Sequence, residues 1–312
     1  DSESMNGVWL SPMGSILWNN GHSVNAGVNL LKIPGTDKMI DKAKTIIYYQ
    51  YNTSNILFRA GSFPKDELLD NYNNFFFKDS INNFIPQMEG VYLRIGNNNN
   101  FFNAWFDRTG YATENSREHF FVGMSGKASK GILFADFQSY MFHLSNTKPA
   151  TPGEGVSENL LLQATLGIEY NHGAKFKGLL AAGTLLGYER DRRFNNELYK
   201  PAGLVARADA EVWGIGTKNL LYIGNNRMRL ANSFGGELYW GTQFLQAKSY
   251  LKNEWYIRFI ESNHVKVKFH CNLHFSEGHI MMQQALTVSA TIDNFSNKKS
   301  SKTVYPWINI FK

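Results

Sequence analysis

From Val265 to Phe275 the chain reads VKVKFHCNLHF, and the two chemical classes alternate there without a break. Val265, Val267, Phe269, Cys271, Leu273 and Phe275 fall on one side, and Lys266, Lys268, His270, Asn272 and His274 on the other. Successive side chains of a β-strand point to opposite faces, so such a strand separates an apolar environment from a wet, basic one. Two architectures provide that pair of environments. A soluble sandwich turns the apolar face toward a core, and a membrane barrel turns it toward lipid and the polar face toward a lumen.

Bulk averages do not choose between them. The hydrophobic fraction is 43% and the mean hydropathy is −0.34, values typical of a soluble chain, but lipid-facing and lumen-facing residues cancel along each strand of a barrel. The longest nearly apolar run, GLLAAGTLLGY from Gly178 to Tyr188, is well short of the roughly 18 residues a membrane-spanning helix needs. Aromatic residues make up 14% of the chain against only 8 prolines, which suits many strands joined by tight turns. The chain begins at Asp1 with no basic or apolar leader, as expected of an exported protein after signal-peptide removal. One cysteine, Cys271, precludes an intrachain disulfide and reads as a small hydrophobe on an apolar face.

Segments of strand character recur from end to end, about sixteen by the alternation criterion. Turn signals separate them: NNG at Asn19–Gly21, GNNNN at Gly96–Asn100, NHG at Asn171–Gly173 and SEG at Ser276–Gly278. Longer polar connections, Leu144–Glu158 and Glu189–Pro201, interleave with the short ones. Alternating short and long connections is the barrel pattern of tight periplasmic turns and larger external loops. The expected fold is therefore all-β: a single antiparallel transmembrane β-barrel of about 14–16 strands over residues 1–312, with both termini periplasmic. Residues 64–88, acidic and then aromatic with no period of two, are expected to form a long non-strand loop that packs into or over the barrel mouth. Tyr48, Tyr49 and Tyr51, Phe101, Phe102, Trp105 and Phe106, Phe120 and Phe121, Tyr239 and Trp240, and Trp255 and Tyr256 are expected in interfacial girdles. The final segment, Thr303–Phe311, alternates poorly and carries Pro306, which points to an edge or a bulge.

RAGSFPKDELLDNY (Arg59–Tyr72), FFVGMSG (Phe120–Gly126), GILFADFQSYMFH (Gly131–His143) and LYWGTQF (Leu238–Phe244) resemble segments of mid-sized outer-membrane β-barrel proteins of Bacteroidetes-type bacteria, a porin-like group. The resemblance covers most of the chain and implies the bacterial outer membrane as location. It implies outer-membrane lipid and lipopolysaccharide as surroundings, other outer-membrane proteins as partners, and architecture more than activity.

If the apolar face is outward, the inward set includes Arg59, Arg94, Arg207, Arg258, Lys266, Lys268, His270 and His274, opposed by Asp136, Asp209 and Glu211. Such a lumen lining favours anions, or else knits an internal ion-pair network that plugs a narrow barrel. His270 and His274 stand four residues apart on one strand, roughly 13 Å, too far to share a metal ion. No cofactor motif is present, and the basic residues are spread over alternate strand positions instead of clustering on a recognition helix, which argues against nucleic acid.

HLSN, His143–Asn146, puts His and Ser at i and i+2 on one side of a strand. With Asp136 and Gln138 inward, His143 and Ser145 face outward, similar to the His-x-Ser on the lipid-facing side of outer-membrane phospholipases and lipid A deacylases. Ser145 would be the nucleophile and His143 its base, with Asn159 as a third polar group orienting the His. The motif is short enough to arise by chance. The leading expectation is a non-enzymatic, porin-like barrel for passive passage of small polar solutes, anions among them. The alternatives are a structural accessory subunit of a larger outer-membrane complex and an outer-membrane lipid esterase, and a soluble multi-sheet sugar-binding protein stands outside the membrane readings.

Overall fold

The computed structural model describes residues 6–65, 68–78, 85–193, 196–227, 243–262, 264–292, 302–303 and 305. Among the described residues seventeen strands form one sheet. They are β1 (Val8–Leu10), β2 (Met13–Leu17), β3 (His22–Lys32), β4 (Lys42–Asn52), β5 (Ile56–Pro64), β6 (Gln87–Gly96), β7 (Phe101–Gly110), β8 (His119–Lys130) and β9 (Leu133–Leu144). The second half comprises β10 (Ser157–His172), β11 (Phe176–Asp191), β12 (Ala202–Val212), β13 (Ile215–Gly224), β14 (Ser249–Ser262), β15 (Val265–Ser276), β16 (His279–Ala290) and β17 (Lys302–Thr303).

From β2 to β16 every strand pairs antiparallel with the next, a continuous meander. Among the described residues β16 pairs with β15, and the short β17 pairs with the end of β14. The chain breaks at Ser11–Pro12 between β1 and β2, and both pair with β3. Of the expected final strand, most of Thr303–Phe311 lies outside the described residues, as do Tyr239 and Trp240 of the expected girdle and most of LYWGTQF.

Apart from the two-residue turn between β15 and β16, which lies at the long-connection end, the connections sort by length onto the two ends of the wall. At one end lie short turns, such as those between β8 and β9, β10 and β11, and β12 and β13, each three residues or fewer. At the other lie long ones, notably residues 65–86 between β5 and β6, 145–156 between β9 and β10, and 225–248 between β13 and β14. In barrels of this type the long loops are external. That end is the outer-leaflet side.

Burial is inverted relative to a water-soluble protein. Leu166, Leu180, Leu204, Ile223, Ile280 and Leu286 are all more than half exposed, whereas Ser125, Asn159 and Gln163 are 0% exposed. A continuous exposed apolar face over a polar interior is the signature of a wall standing in hydrocarbon. The strands of β10 and β11, 16 residues each, exceed the about 9–11 residues a tilted strand needs to cross.

Part of the segment between β5 and β6 fills the interior. Phe75 packs on Tyr222 of β13 and Tyr250 of β14, with ring centroids 6.0 and 6.2 Å apart, and Phe76 packs on Tyr140 of β9 at 5.4 Å. Trp105 Nε1 of β7 donates to Tyr72 Oη at 3.0 Å, and Asn73 Nδ2 donates to Gln163 Oε1 of β10 at 2.8 Å. One short segment thus touches strands from β7 round to β14, so the sheet curls about it. Gly123 of β8 exists for the same packing: a Cβ there would collide with the Trp105 ring. The girdle expectation holds for only part of its residues. Tyr48, Trp105, Phe121 and Tyr256 are buried inward, while neighbours such as Ile47, Phe102, Val122 and Trp255 are exposed, because adjacent residues on a strand cannot share a face.

Candidate functional site

Residue parity on β9 is set by Phe134, Gln138, Tyr140, Phe142 and Leu144, all buried in the interior. The other parity, Met141 and His143 included, faces outward. Backbone pairing runs on past the end of the strand: Ser145 N donates to Glu118 O at 2.8 Å and Glu118 N to Asn146 O at 3.3 Å. This extends the β8–β9 ladder in which His143 pairs with Phe120 by one irregular step, Glu118 meeting both Ser145 and Asn146, and Ser145 lies two residues beyond the outward-facing His143. Arg117 then ties the loop shut, its Nε donating to Ser145 O and its Nη2 to Gly155 O, both at 2.6 Å.

On its other side β9 pairs with β10, and the register sets Glu158 directly opposite His143. Side chains so opposed have Cβ atoms about 4.5–5.5 Å apart. The imidazole is stacked on Phe120, centroids 4.7 Å apart and planes 23° from parallel. The charges that bear on it are Glu158, Glu118 and Arg192. Glu158 is itself held by two guanidinium groups, Arg190 at the end of β11 and Arg192 just beyond it: Arg190 donates to Oε2 through Nε at 3.1 Å and Nη2 at 2.6 Å, and Arg192 Nη2 donates to Oε1 at 3.1 Å. Arg108 pairs with Glu118 beside them. A base, a hydroxyl, carboxylates and arginines therefore gather on the outside of the wall at its long-connection end, level with Phe120.

The loop after Ser145 is ordered by a single carboxylate. Glu154 Oε2 accepts from Thr147 N at 2.8 Å, Thr147 Oγ1 at 2.9 Å and Thr151 N at 3.1 Å. Desolvation pushes this carboxyl upward, and the hydrogen bonds from Thr147 and Thr151 outweigh it, so it titrates below the usual glutamate range.

Asn159, expected to orient His143, does not. It is 0% exposed, on the inward face of β10, opposite Phe142. The wall separates it from the imidazole, and the acidic neighbour one residue earlier, Glu158, occupies the position the expectation gave to Asn159.

The eight basic residues named for the lumen share the inward parity of their strands. Arg59 Nε donates to Gln50 Oε1 at 2.8 Å, Arg94 lies over the ring of Phe101 at 4.3 Å, and Arg207 pairs with Asp136 at 3.3 Å. Arg258 bonds Glu211 at 3.1 Å and Lys268 bonds Glu254 at 2.8 Å, while Lys266 lies opposite Glu261 in register. His274 Nδ1 meets Tyr250 Oη at 2.7 Å, and His270 lines an internal cavity of about 320 Å³ together with Arg207, Lys218, Lys252, Glu254 and Lys268. The cavity lies on the short-turn side of the segment that carries Tyr72, Asn73 and Asn74. On the outer-leaflet side the interior is occupied by Phe75, Phe76, Phe121, Tyr140, Phe142 and Leu144. Among the described residues no group of three or more His, Cys, Asp or Glu side chains is placed to hold a metal ion.

A family model described as Lipid A 3′-O-deacylase-type matches residues 1–299. Among solved structures, the outer membrane protein opdK from Pseudomonas aeruginosa is similar at 11% identity, with 91% of each chain covered and a TM-score of 0.42. OprB of Pseudomonas putida, in its high-pH structure, is similar at 12% identity over 85% of this chain and 80% of its own, with a TM-score of 0.41. No curated protein matches the chain. The family match corrects the expectation of a barrel without catalytic activity: the model is that of a deacylase family, and it covers nearly the whole chain. A lipid A-directed family and an apolar outer wall together make this a protein of the bacterial outer membrane.

Proposed function

Because the chain belongs to the Lipid A 3′-O-deacylase-type family, we propose that it is an ester hydrolase of the outer membrane that removes an ester-linked acyl chain from lipid A. What supports the reading is that His143 and Glu158 stand opposite one another on the outward face at the outer-leaflet end of the wall, with Ser145 two residues beyond His143. A lipid ester reaches that face by lateral diffusion without leaving its leaflet.

The chemistry asks little more of the residues than their positions. His143 accepts the Ser145 Oγ proton as the oxygen attacks the ester carbonyl, and then gives it to the sugar oxygen as the carbon–oxygen bond breaks. Water, deprotonated by the same imidazole, cleaves the acyl-serine, returns the proton to Oγ and frees the fatty acid. Glu158 is the positioning residue, a carboxylate opposite the ring that can accept its second N–H and stabilise the transient imidazolium. Stacking on Phe120 holds the plane of the ring. Among the described residues neither the His143 ring nor the Ser145 hydroxyl is engaged in a hydrogen bond, which leaves both free for substrate. Catalytic contacts of this kind commonly tighten only on binding.

Passive passage of solutes is the weaker reading, because aromatic side chains occupy the interior at the outer-leaflet end. The deciding experiment is release of fatty acid from lipid A by the full chain reconstituted in vesicles. Ser145→Ala is expected to lower the rate by about a thousandfold or more, with heat-modifiable gel migration unchanged. Undiminished release by that variant would remove the reading.

A further inference from the structure

The outward cluster holds more positive charge than the proposed chemistry uses. Arg190, at the end of β11, and Arg192, just past it, both converge on the one carboxylate of Glu158. Two guanidinium groups against one carboxylate leave a positive surplus. The Arg192 side chain is 45% exposed, against 22% for Glu158. The pair sits at the outer-leaflet end, where the headgroups of lipids that enter along the wall must lie.

A second fact concerns Glu158 itself. The β9–β10 register sets it opposite His143, yet both of its oxygens are turned to β11 and taken by the arginines. The residue best placed to orient the imidazole is thus engaged elsewhere. A ligand that satisfied the arginines better than a carboxylate would change this. A phosphate monoester is such a ligand, since it carries close to two charges and three acceptor oxygens that the planar guanidinium fork matches.

Resting on the esterase reading, we propose that Arg190 and Arg192 bind a phosphate monoester on the sugar headgroup of the acylated substrate, and that this binding hands Glu158 from the arginines to His143. The arrangement couples recognition to catalysis. An acyl ester that arrives without a phosphate leaves the carboxylate on β11 and the imidazole unsupported, so phospholipids of the bilayer, whose phosphate is a diester of lower charge, are poor substrates even at high local concentration. Arg190 and Arg192 are binding residues in this scheme. Glu158 is the two-position element.

The test compares lipid A carrying its phosphates with the same lipid after enzymatic dephosphorylation, using the full chain in vesicles. Wild type is expected to lose at least about tenfold in kcat/KM on the dephosphorylated lipid, the equivalent of one charge-assisted hydrogen bond. In the double variant R190Q/R192Q that preference should vanish, with the two lipids cleaved at equal rates. R190K/R192K keeps the charge without the fork and should recover only part of the preference, which separates bidentate recognition from simple attraction. Restoration of activity on the dephosphorylated lipid by added inorganic phosphate would support the anion site and make free phosphate sufficient as its ligand. Equal wild-type rates on both lipids, with Ser145→Ala inactive, would overturn the proposal and leave the esterase standing. Release of fatty acid that is indifferent to Ser145→Ala would overturn both.

Discussion

Glu158 and Glu254 are each a single carboxylate shared by two cations, and they stand on opposite faces of the same wall. Outside, Glu158 joins Arg190 and Arg192; inside, Glu254 joins Lys252 at 3.3 Å and Lys268 at 2.8 Å. The inner cluster is closed. Lys252 is 2% exposed and its Nζ also donates to Asn74 Oδ1 at 2.7 Å, so it fastens the segment between β5 and β6 to β14. The outer cluster is open, bordered by a histidine and a serine that no interior contact requires. The same local chemistry therefore holds the fold in one place and is available to a ligand in the other, and the surroundings decide which.

The sharpest way to break the comparison is to neutralise each carboxylate in turn. Glu254→Ala leaves Lys252 buried without its acidic partner, and breaking one side of such a pair costs about 3–5 kcal/mol. A lower midpoint in urea-driven unfolding from detergent, with a gel shift lost at lower temperature, is the expected outcome; a midpoint within experimental scatter of wild type would show that the inner cluster is not structural. Glu158→Gln should do the reverse. Exposed pairs contribute at most about 1 kcal/mol, so the midpoint should hold, whereas kcat should fall by about tenfold to a hundredfold with KM for phosphorylated lipid little changed. Glu158→Asp, which keeps the charge, should recover part of kcat. A variant that lost stability instead of rate would make Glu158 a second Glu254.

Next in size is the tether between the inner segment and the wall. Asn73 donates from its side chain to Gln163 and from its backbone to Gln138, at 2.8 and 2.9 Å. Asn73→Ala should cost about 1–3 kcal/mol by leaving Gln163 unsatisfied. It should leave fatty-acid release unchanged, because the tether and the outward site are separated by the wall. Parallel loss of activity and stability would mean that the two faces are coupled.

How far the two faces could be read from sequence depends on the phase of the alternation. Val265–Phe275 carries its own parity, and GILFADFQSYMFH carries that of β9 as far as His143, whereas Ser145 lies beyond that segment. The third member was lost because the polar connection 145–156 carries no alternation. Parity cannot be counted across it, so the alternation does not distinguish Asn159 from Glu158, one residue earlier. Only the register, His143 against Glu158, restores the phase. The same limit affected Phe75, Phe76 and Phe77. Consecutive aromatics have no period, and their place inside the barrel follows from partners on β7, β9, β13 and β14 that lie far away in the chain. The His-x-Ser on which the proposed esterase rests is outweighed in the sequence by charges that read as a pore lining, since a motif of two residues carries little information.

The smallest effect concerns Glu154, the carboxylate that orders the loop beginning at Ser145. Its hydrogen bonds with Thr147 and Thr151 favour the ionised form and hold its pKa below the ordinary range in the folded protein. A depressed folded pKa contributes order that is complete above the unfolded value of about 4.3 and is lost as pH falls through the folded value. The loop should therefore be intact at neutral pH and loosen only on acidification below the ordinary glutamate range, with amide hydrogen exchange at Thr147 and Thr151 accelerating first. Glu154→Gln should show the acid-state exchange at pH 7, with a modest loss of kcat because Arg117 still pins Ser145 O and Gly155 O across the loop. If exchange at Thr147 were the same in the variant and wild type at pH 7, the carboxylate would not be what orders the loop, and Arg117 alone would hold Ser145 in place.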